Sequence, residues 1–319
     1  MMDRFYRAAL SLTMLAMLSL PAAAQTGNPG GPINDHLGDM DYGVCRGIDP
    51  VCFHDWHVMP KKDFKVLLFT RSGGPRHITM GPPLPAGLNP PLAPENLIHR
   101  GMLRLAAENG FKMDYSEDLA VFNNLMQYNA VIFYSTSRDM LDDSAKTALR
   151  QYIRAGGGFV AVHNAFGSLY NWPYYEGLLG GANFYNHRQL RQGDVVVQDP
   201  NDSSTKGLPA RFPITDEFYN LIPFPTHVRF LATVDEKSWP KDGSNGPGSG
   251  EAEGGHPGHG SFHPVAWCQY YDGGKAWMTT MGHDGNLLGA DPKVPGAIQF
   301  QKMLVGGIKS VMGLEPFCQ

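Results

Sequence analysis

Charge of either sign is scarce. Across 319 residues there are 26 Lys+Arg and 30 Asp+Glu, a formal net charge of −4. No basic block is present to neutralise phosphates, so the composition argues against nucleic acid as a partner. Cysteine is rarer still, at four residues, and no two form a CxxC pair, so a zinc ribbon or a thioredoxin-type redox site has no support. There is no GxGxxG and no P-loop pattern, hence no sign of a nucleotide cofactor. There is no GxSxG elbow either, so serine-based acyl transfer lacks a visible nucleophile. No internal repeat is present. What remains is a folded composition: 42% of residues are hydrophobic and only 18% charged, too apolar for a disordered chain. A chain of this length buries about three quarters of its unfolded surface and needs no metal merely to fold.

The first 24 residues read as a secretory signal. Arg4 and Arg7 precede an uncharged apolar stretch, Ala8 to Leu20, followed by Pro21 and Ala22-Ala23-Ala24. The run falls short of the ~20 residues that span a bilayer, and the small residues suit cleavage after Ala24. No later segment reaches membrane length. The expectation is an exported protein, periplasmic or secreted, with no membrane attachment after cleavage. In an oxidising compartment Cys45 and Cys52 are expected to close a short disulfide. Cys268 lies in an apolar run and is either an inert thiol or the partner of Cys318.

Residues 25–62 are rich in Gly, Pro, Asp and His and are expected to form an extended arm. The domain proper should occupy 63–319. Val66 to Phe69, Ala130 to Tyr134 and Phe159 to Val162 are short continuous apolar runs, the pattern of strands buried on both faces. Helical spacing covers Glu95 to Asn109, Asp142 to Ala155 and Ala297 to Met312. Further strands are expected at Met113–Tyr115, Val195–Val197, Arg229–Ala232, Val265–Tyr270 and Ala276–Thr280, the last two joined by a tight turn at Asp272-Gly273-Gly274. Alternating apolar strands and helices predict an α/β domain with a parallel sheet and loop insertions. In such sheets ligands bind at the carboxyl ends of the strands, and that rule selects the polar residues worth attention.

Four histidines fall near those ends: His77, His163, His187 and His283. Neutral imidazole ligates zinc or a similar metal, or exchanges protons near neutral pH. Taken singly, each histidine reads equally as a surface or hydrogen-bonded core residue, but His163 ends a buried strand directly and needs a partner. Glu117-Asp118 and Asp216-Glu217 supply carboxylates, with at most one of each pair expected to face the site. Trp172 and Tyr175 are candidates for a stacking wall, or else core aromatics. His256 and His259 decorate a Gly-rich loop and suggest adventitious metal binding, whereas His263 reads as structural.

Several stretches together resemble the ThuA-like (trehalose utilisation) family, a branch of the class I glutamine amidotransferase-like superfamily. They are Arg76-His77, Ser116-Glu117-Asp118, Tyr152 to His163 with its Gly156-Gly157-Gly158-Phe159 core, Trp172 to Tyr175, Phe184 with His187, Asp216 to Tyr219, His263 to Cys268, and Gly282-His283. They run in family order over about Lys65 to Gly313. The resemblance implies a flavodoxin-like three-layer sandwich with a mostly parallel sheet. It also implies sugar catabolism, notably of disaccharides and their 3-keto derivatives. The amidotransferase nucleophile is missing: His163-Asn164-Ala165 stands where the cysteine would, so a glutaminase mechanism is not available. Asn164 to Ser168 lacks the relatives' Asp, Asp284-Gly285 replaces their Thr-Glu, and Gly81 to Pro94 is an insertion expected to reshape the crevice.

The combined expectation is an exported enzyme acting on a small carbohydrate. His163, His187 and His283 would hold a divalent metal, zinc or similar. His163, Glu217, Asp216 and His77 would carry the catalysis. Trp172, Tyr175, Glu117 and Asp284 would touch the sugar. The alternative is a sugar-binding or interaction protein that kept the fold without the chemistry.

Overall fold

The computed structural model describes residues 42–240 and 256–319. The predicted leader, residues 25–41 of the arm and residues 241–255 of the Gly-rich loop lie outside the described residues. One large sheet organises the rest. Its parallel part runs β3 (Lys112–Ser116), β2 (Lys65–Phe69), β4 (Ala130–Tyr134), β5 (Gly158–Val162), β12 (Gly274–Thr279). It then continues antiparallel through β11 (His263–Tyr271), β10 (Arg229–Asp235), β7 (Arg191–Val197) and β8 (Arg211–Asp216). The parallel character predicted from the apolar runs therefore covers the half that carries them. A two-stranded ribbon, β6 (Phe184–His187) with β9 (Tyr219–Leu221), stands apart from the large sheet.

The continuous apolar runs have a direct cause. Alternate residues of each parallel strand enter two different cores. Val66, Leu68, Ile132 and Val160 pack on one face against α1 (Leu97–Glu108) and α4 (Ala297–Met312). Leu67, Phe69, Val131, Phe133 and Phe159 pack on the other against α2 (Asp143–Arg154) and α3 (Pro173–Leu178). A strand wet on neither face has no polar positions to alternate with. Helix α2 starts where Asp142 accepts the N–H of Ala145, a side-chain cap that its acidic first turn reinforces. Gly307 lets α4 lie close on the sheet, because a Cβ there would sit 2.4 Å from the Trp277 ring.

The predicted turn between β11 and β12 is a hairpin in which Asp272 and Gly273 both have positive φ, 46° and 95°, as a type I′ turn requires. The described part of the arm lies on the domain: β1 (Arg46–Gly47) pairs with Tyr270 and Tyr271. The Gly81–Pro94 insertion does not shape the crevice, contrary to expectation. It covers the exposed edge of β3, where the Asn89 N–H donates to the Tyr115 carbonyl and the Asn89 side chain accepts from the Tyr115 N–H. An uncovered edge strand invites unwanted pairing.

Both possible disulfides form, Cys45–Cys52 and Cys268–Cys318, and no described cysteine is free. The second ties central strand β11 to the chain end. Among the described residues no helix is long and apolar enough to cross a membrane. Disulfides of this kind persist in oxidising compartments. Loop closure makes the bridges unequal, since they span 7 and 50 residues. Cys318→Ala should lower the unfolding free energy by about 4 kcal/mol and Cys45→Ala by about 2.5 kcal/mol. Urea titration of the two variants checks both the size and the order.

Candidate functional site

Four side chains from four separate segments converge at the carboxyl end of the parallel strands: His77, His163, Glu217 and His283, with one ligand atom of each within 4.8 Å of the others. His163 follows β5 directly. Its φ is +53°, a left-handed conformation that is unusual for a residue with a side chain. His283 follows β12, and His77 comes from the loop after β2. Glu217 sits between β8 and β9, so the antiparallel wing supplies the carboxylate.

The hydrogen bonds fix the tautomers of two of these rings. His163 Nδ1 lies 3.0 Å from the Thr280 carbonyl, which only accepts, so Nδ1 carries the proton. Thr79 Oγ1 donates to the His283 carbonyl at 2.9 Å. Its one proton is thereby used, and the contact of 2.9 Å from His77 Nδ1 must be a donation from the ring. Both rings therefore present an unprotonated Nε2, and the two Nε2 atoms face each other at 3.2 Å with no ring proton to share between them. Protonation would relieve this, but burial opposes it. Burial pushes His77 down to about 4, helped by the neighbouring His283 charge, and drives the fully buried His163 well below the usual range. Tyr219 donates its hydroxyl to His163 Nε2 at 2.8 Å.

The fourth corner is ionic. His283 Nδ1 lies 3.0 Å from Glu217 Oε2 and 3.1 Å from His77 Nε2. Burial works against the His283 charge, but the Glu217 carboxylate outweighs it and raises the imidazole above its ordinary value. Burial likewise pushes Glu217 up, and the His283 hydrogen bond and the surrounding imidazoles bring it below.

Several predicted residues take other roles. His187 is outside the converging group. Its Nδ1 donates to the Arg188 carbonyl and its Nε2 stands 3.6 Å from Glu217 at the rim of the cleft. His77 and Glu217 complete the set in its place, because the loop after β2 folds back over the strand ends. Asp216 does not face the cleft. It is fully buried and accepts the backbone N–H groups of Glu217, Gly282 and His283 at 2.8, 2.7 and 3.0 Å. Burial pushes its carboxyl up to about 7, against the pull of those donors.

Glu117 is locked rather than open to a ligand. It binds Arg76 at 2.7 Å and accepts from Thr70 at 3.1 Å. Arg76 also donates to the Gly81 and Pro82 carbonyls, so this ion pair clamps the loop that carries His77 and Thr79. Asp284 caps the short helical turn at Gly285–Leu288. Tyr175 is fully buried, donates to the Ala165 carbonyl and packs against Phe133 and Phe159. Trp172 stacks flat on Tyr175 and does not line the cleft. The aromatic wall is therefore part of the core. His263 is structural as expected, held by Glu236 at 2.8 Å and by the Tyr219 carbonyl at 3.0 Å. His259 accepts the Leu221 N–H.

Beside the four groups opens a cleft of about 340 Å³, lined among others by Arg76, Arg138, Asn164, Tyr170, Phe184 and His187. Arg138 and Tyr170 carry no recognisable motif, and Tyr219, though it closes the Asp216 to Tyr219 stretch, shows no sign in the sequence that its hydroxyl reaches His163.

The family model for ThuA, described as trehalose utilisation, matches residues 92–309. The chain belongs to the ThuA family. Solved structures agree on the fold. A protein from Bacteroides uniformis described as ThuA-like is 22% identical over 78% of this chain and 91% of its own, with a TM-score of 0.58. A second, from Parabacteroides merdae, is 17% identical over 81% and 92%, with a TM-score of 0.56. No curated protein matches. The family model spans α1 to α4, so it contains His163, Glu217 and His283 but not His77.

One histidine beside the site gives a pH test. His99 is buried and donates from Nε2 to Thr70, whose own proton goes to Glu117. Burial, helped by Arg76, holds it down at about 4. The unfolded chain takes up that proton near pH 6.5 and the folded one only near 4, so stability falls as pH drops between them. Chelator-treated protein should lose melting temperature across this window. His99→Gln should flatten the fall, and an unchanged slope would rule this histidine out as its source.

Proposed function

We propose that this ThuA-family protein is an exported, metal-dependent protein acting on sugars. The observation that carries the metal reading is the pair of unprotonated Nε2 atoms, 3.2 Å apart and fixed by Thr280 and Thr79, with a third imidazole and a carboxylate around them. Two unprotonated nitrogens at that distance cannot hydrogen-bond to each other, whereas a shared cation would hold both, taking the His163 lone pair from the Tyr219 hydroxyl. Rings whose far nitrogen donates to a carbonyl or hydroxyl are what metal sites use to orient imidazole. Once His283 gives up its Nδ1 proton, the donor set of three imidazole nitrogens and a carboxylate suits zinc or a similar divalent ion. Bonds of ~2.1 Å to a tetrahedral ion separate ligands by about 3.4 Å, near the 3.0, 3.1, 3.2 and 3.7 Å found between neighbouring ligand atoms.

When bound, such an ion supplies Lewis acidity to an oxygen of the ligand. The chain's own residues do the rest. Glu217 brings the negative charge that offsets the cation. His187, with its Nδ1 proton given to the Arg188 carbonyl, keeps Nε2 free at the rim to accept a proton. Tyr219 orders His163. The sugar reading rests on the family description and on a polar cleft with aromatic rings at its edge. We further read the architecture as the three-layer, flavodoxin-like form of the class I amidotransferases. His163, in its left-handed turn, would then replace their thiol, and glutaminase chemistry lacks a nucleophile. Two disulfides support an oxidising destination, in line with the leader-like N-terminus.

Elemental mass spectrometry of protein purified without chelator should find close to one divalent metal per chain, and His163→Ala should lose it. Thr79→Val, which removes both the acceptor for His77 Nδ1 and the donor to the His283 carbonyl, should weaken metal affinity by about 10–100-fold without unfolding the protein. Failure of wild-type protein to take up zinc or manganese from solution would remove the metal from this reading.

A further inference from the structure

The Tyr219 hydroxyl donates to His163 Nε2 at 2.8 Å, and among the described residues no other acceptor stands within hydrogen-bond distance of it. The same nitrogen faces His77 Nε2 at 3.2 Å and Glu217 Oε2 at 3.7 Å. An imidazole nitrogen in the ring plane has a single lone pair, which a divalent cation and a phenolic proton cannot share. Either the hydroxyl holds it or the cation does.

A hydroxyl that loses this acceptor cannot withdraw from the site. Tyr219 opens β9 and pairs with His187 across the ribbon, and its carbonyl accepts from His263 Nε2 at 3.0 Å. Its ring is wedged between Phe184, edge-on with centroids 4.6 Å apart, and His163, at 4.7 Å. The residue is 2% exposed, so bulk water does not replace the lost partner. A buried donor left without an acceptor is costly. The O–H turns about its own C–O bond, however, and follows whatever acceptor arrives beside it.

The cleft decides where that acceptor comes from. Tyr219 and Glu217 both line it, whereas the fully buried His163 does not. Tyr219 thus reaches from the imidazole to the space that a ligand enters. A group that joins a cation from this side does so through an oxygen with a lone pair to give. Carbonyl, carboxylate and hydroxamate oxygens carry negative charge, and a preorganised O–H donor beside them stabilises it.

We propose that Tyr219 is a ligand-binding residue whose hydroxyl changes partner: with His163 Nε2 engaged by a cation, it donates to the acceptor oxygen of the ligand in the cleft. This rests on the metal reading of the four side chains and not on the sugar reading. The ligand class is a molecule that presents a carbonyl or anionic oxygen at the histidines. The rival role is positioning alone, in which the hydroxyl serves only to orient His163. The two roles make opposite predictions for metal affinity, because an orienting partner supports a ligand and a competitor opposes it.

The test is calorimetric titration of the full chain, stripped by chelator, first with zinc and then with acetohydroxamate. Positioning alone makes Tyr219→Phe bind zinc about 10–100-fold more weakly, the usual loss when an orienting partner goes. The role proposed gives a zinc affinity equal to that of the unaltered protein or higher. It also makes zinc-loaded Tyr219→Phe bind acetohydroxamate about tenfold or more weakly, the loss of a hydrogen bond to a charged oxygen. Zinc affinity reduced by about tenfold or more, or acetohydroxamate affinity unchanged, overturns the proposal. Failure of the unaltered, zinc-loaded protein to bind acetohydroxamate overturns it and leaves the metal reading standing, whereas failure to bind zinc removes both. Ring-labelled tyrosine NMR of the unaltered protein gives the same answer should Tyr219→Phe not fold. One tyrosine signal should move on adding zinc and move again with acetohydroxamate, and Tyr170→Phe, which removes the other tyrosine of the lining, should keep that signal. No second movement overturns the proposal.

Discussion

The buried carboxylate of Asp216 is the constraint on which the site depends. It takes three backbone N–H groups from two segments far apart in sequence, one at Glu217 and one at Gly282–His283. The first follows β8 at the outer edge of the antiparallel wing, and the second follows β12 at the end of the parallel half. One side chain thus sets the backbone of two of the four converging residues. Hydrogen bonds to a charged acceptor contribute about 1.5–3 kcal/mol each, and a buried carboxylate stripped of its donors would cost about 3–5 kcal/mol or take up a proton. Tyr134 completes the turn by donating to the Gly282 carbonyl at 3.0 Å. Gly282 has a φ of +115°, and a Cβ there would stand 2.7 Å from the Tyr134 hydroxyl, so both the conformation and the space call for glycine.

The other half of the site depends on a second polar network. Arg76, Glu117, Thr70 and His99 form a chain under the loop after β2. The loop's apolar side chains divide: Ile78, next to His77, is 84% exposed, whereas Met80 is fully buried in the core. Met80 anchors the loop to the core, and the ion pair with the hydrogen bond from Thr79 to His283 positions His77. A polar network specifies position sharply when every member is satisfied. Here His99 Nδ1 has no partner, which is consistent with a ring held neutral with its proton on the other nitrogen.

Much of the fold was legible in the sequence, for a physical reason. Strands buried on both faces must be apolar throughout, so Val66–Phe69, Ala130–Tyr134 and Phe159–Val162 announce themselves. The ribbon of β6 and β9 does not. Phe-Tyr-Asn-His is short, half exposed and without a run, and the structure it joins is defined only by contact with a distant segment. Histidines that end a strand, His163 and His283, were readable from the rule about carboxyl ends. Which of Asp216 and Glu217 faces the cleft was not, because it depends on the far-off turn at 282–283. The aromatic error has the same origin. Trp172 to Tyr175 form the denser cluster, yet α3 turns Tyr174 and Tyr175 into the core, whereas the inconspicuous Tyr185 stays outside.

The position of His163 connects fold and chemistry. Its neighbours leave no freedom: Val162 before it is buried in β5, Ala165 and Phe166 after it are buried as well, and its own φ is left-handed. A buried imidazole in such a turn has lost its rotamer freedom and most of its water, so its proton affinity is low and its lone pair is aimed. Both properties are costs to the folded protein and advantages to a site that must hold a cation without competing protons. The Thr280 carbonyl and the Tyr219 hydroxyl hold the ring from both sides, and Tyr219 is itself held through its carbonyl by His263 and Glu236. Rigidity thus runs from Glu236 after β10 and His263 at the start of β11 through β9 to His163. A residue poised in this way is preorganised by packing well before any ligand arrives.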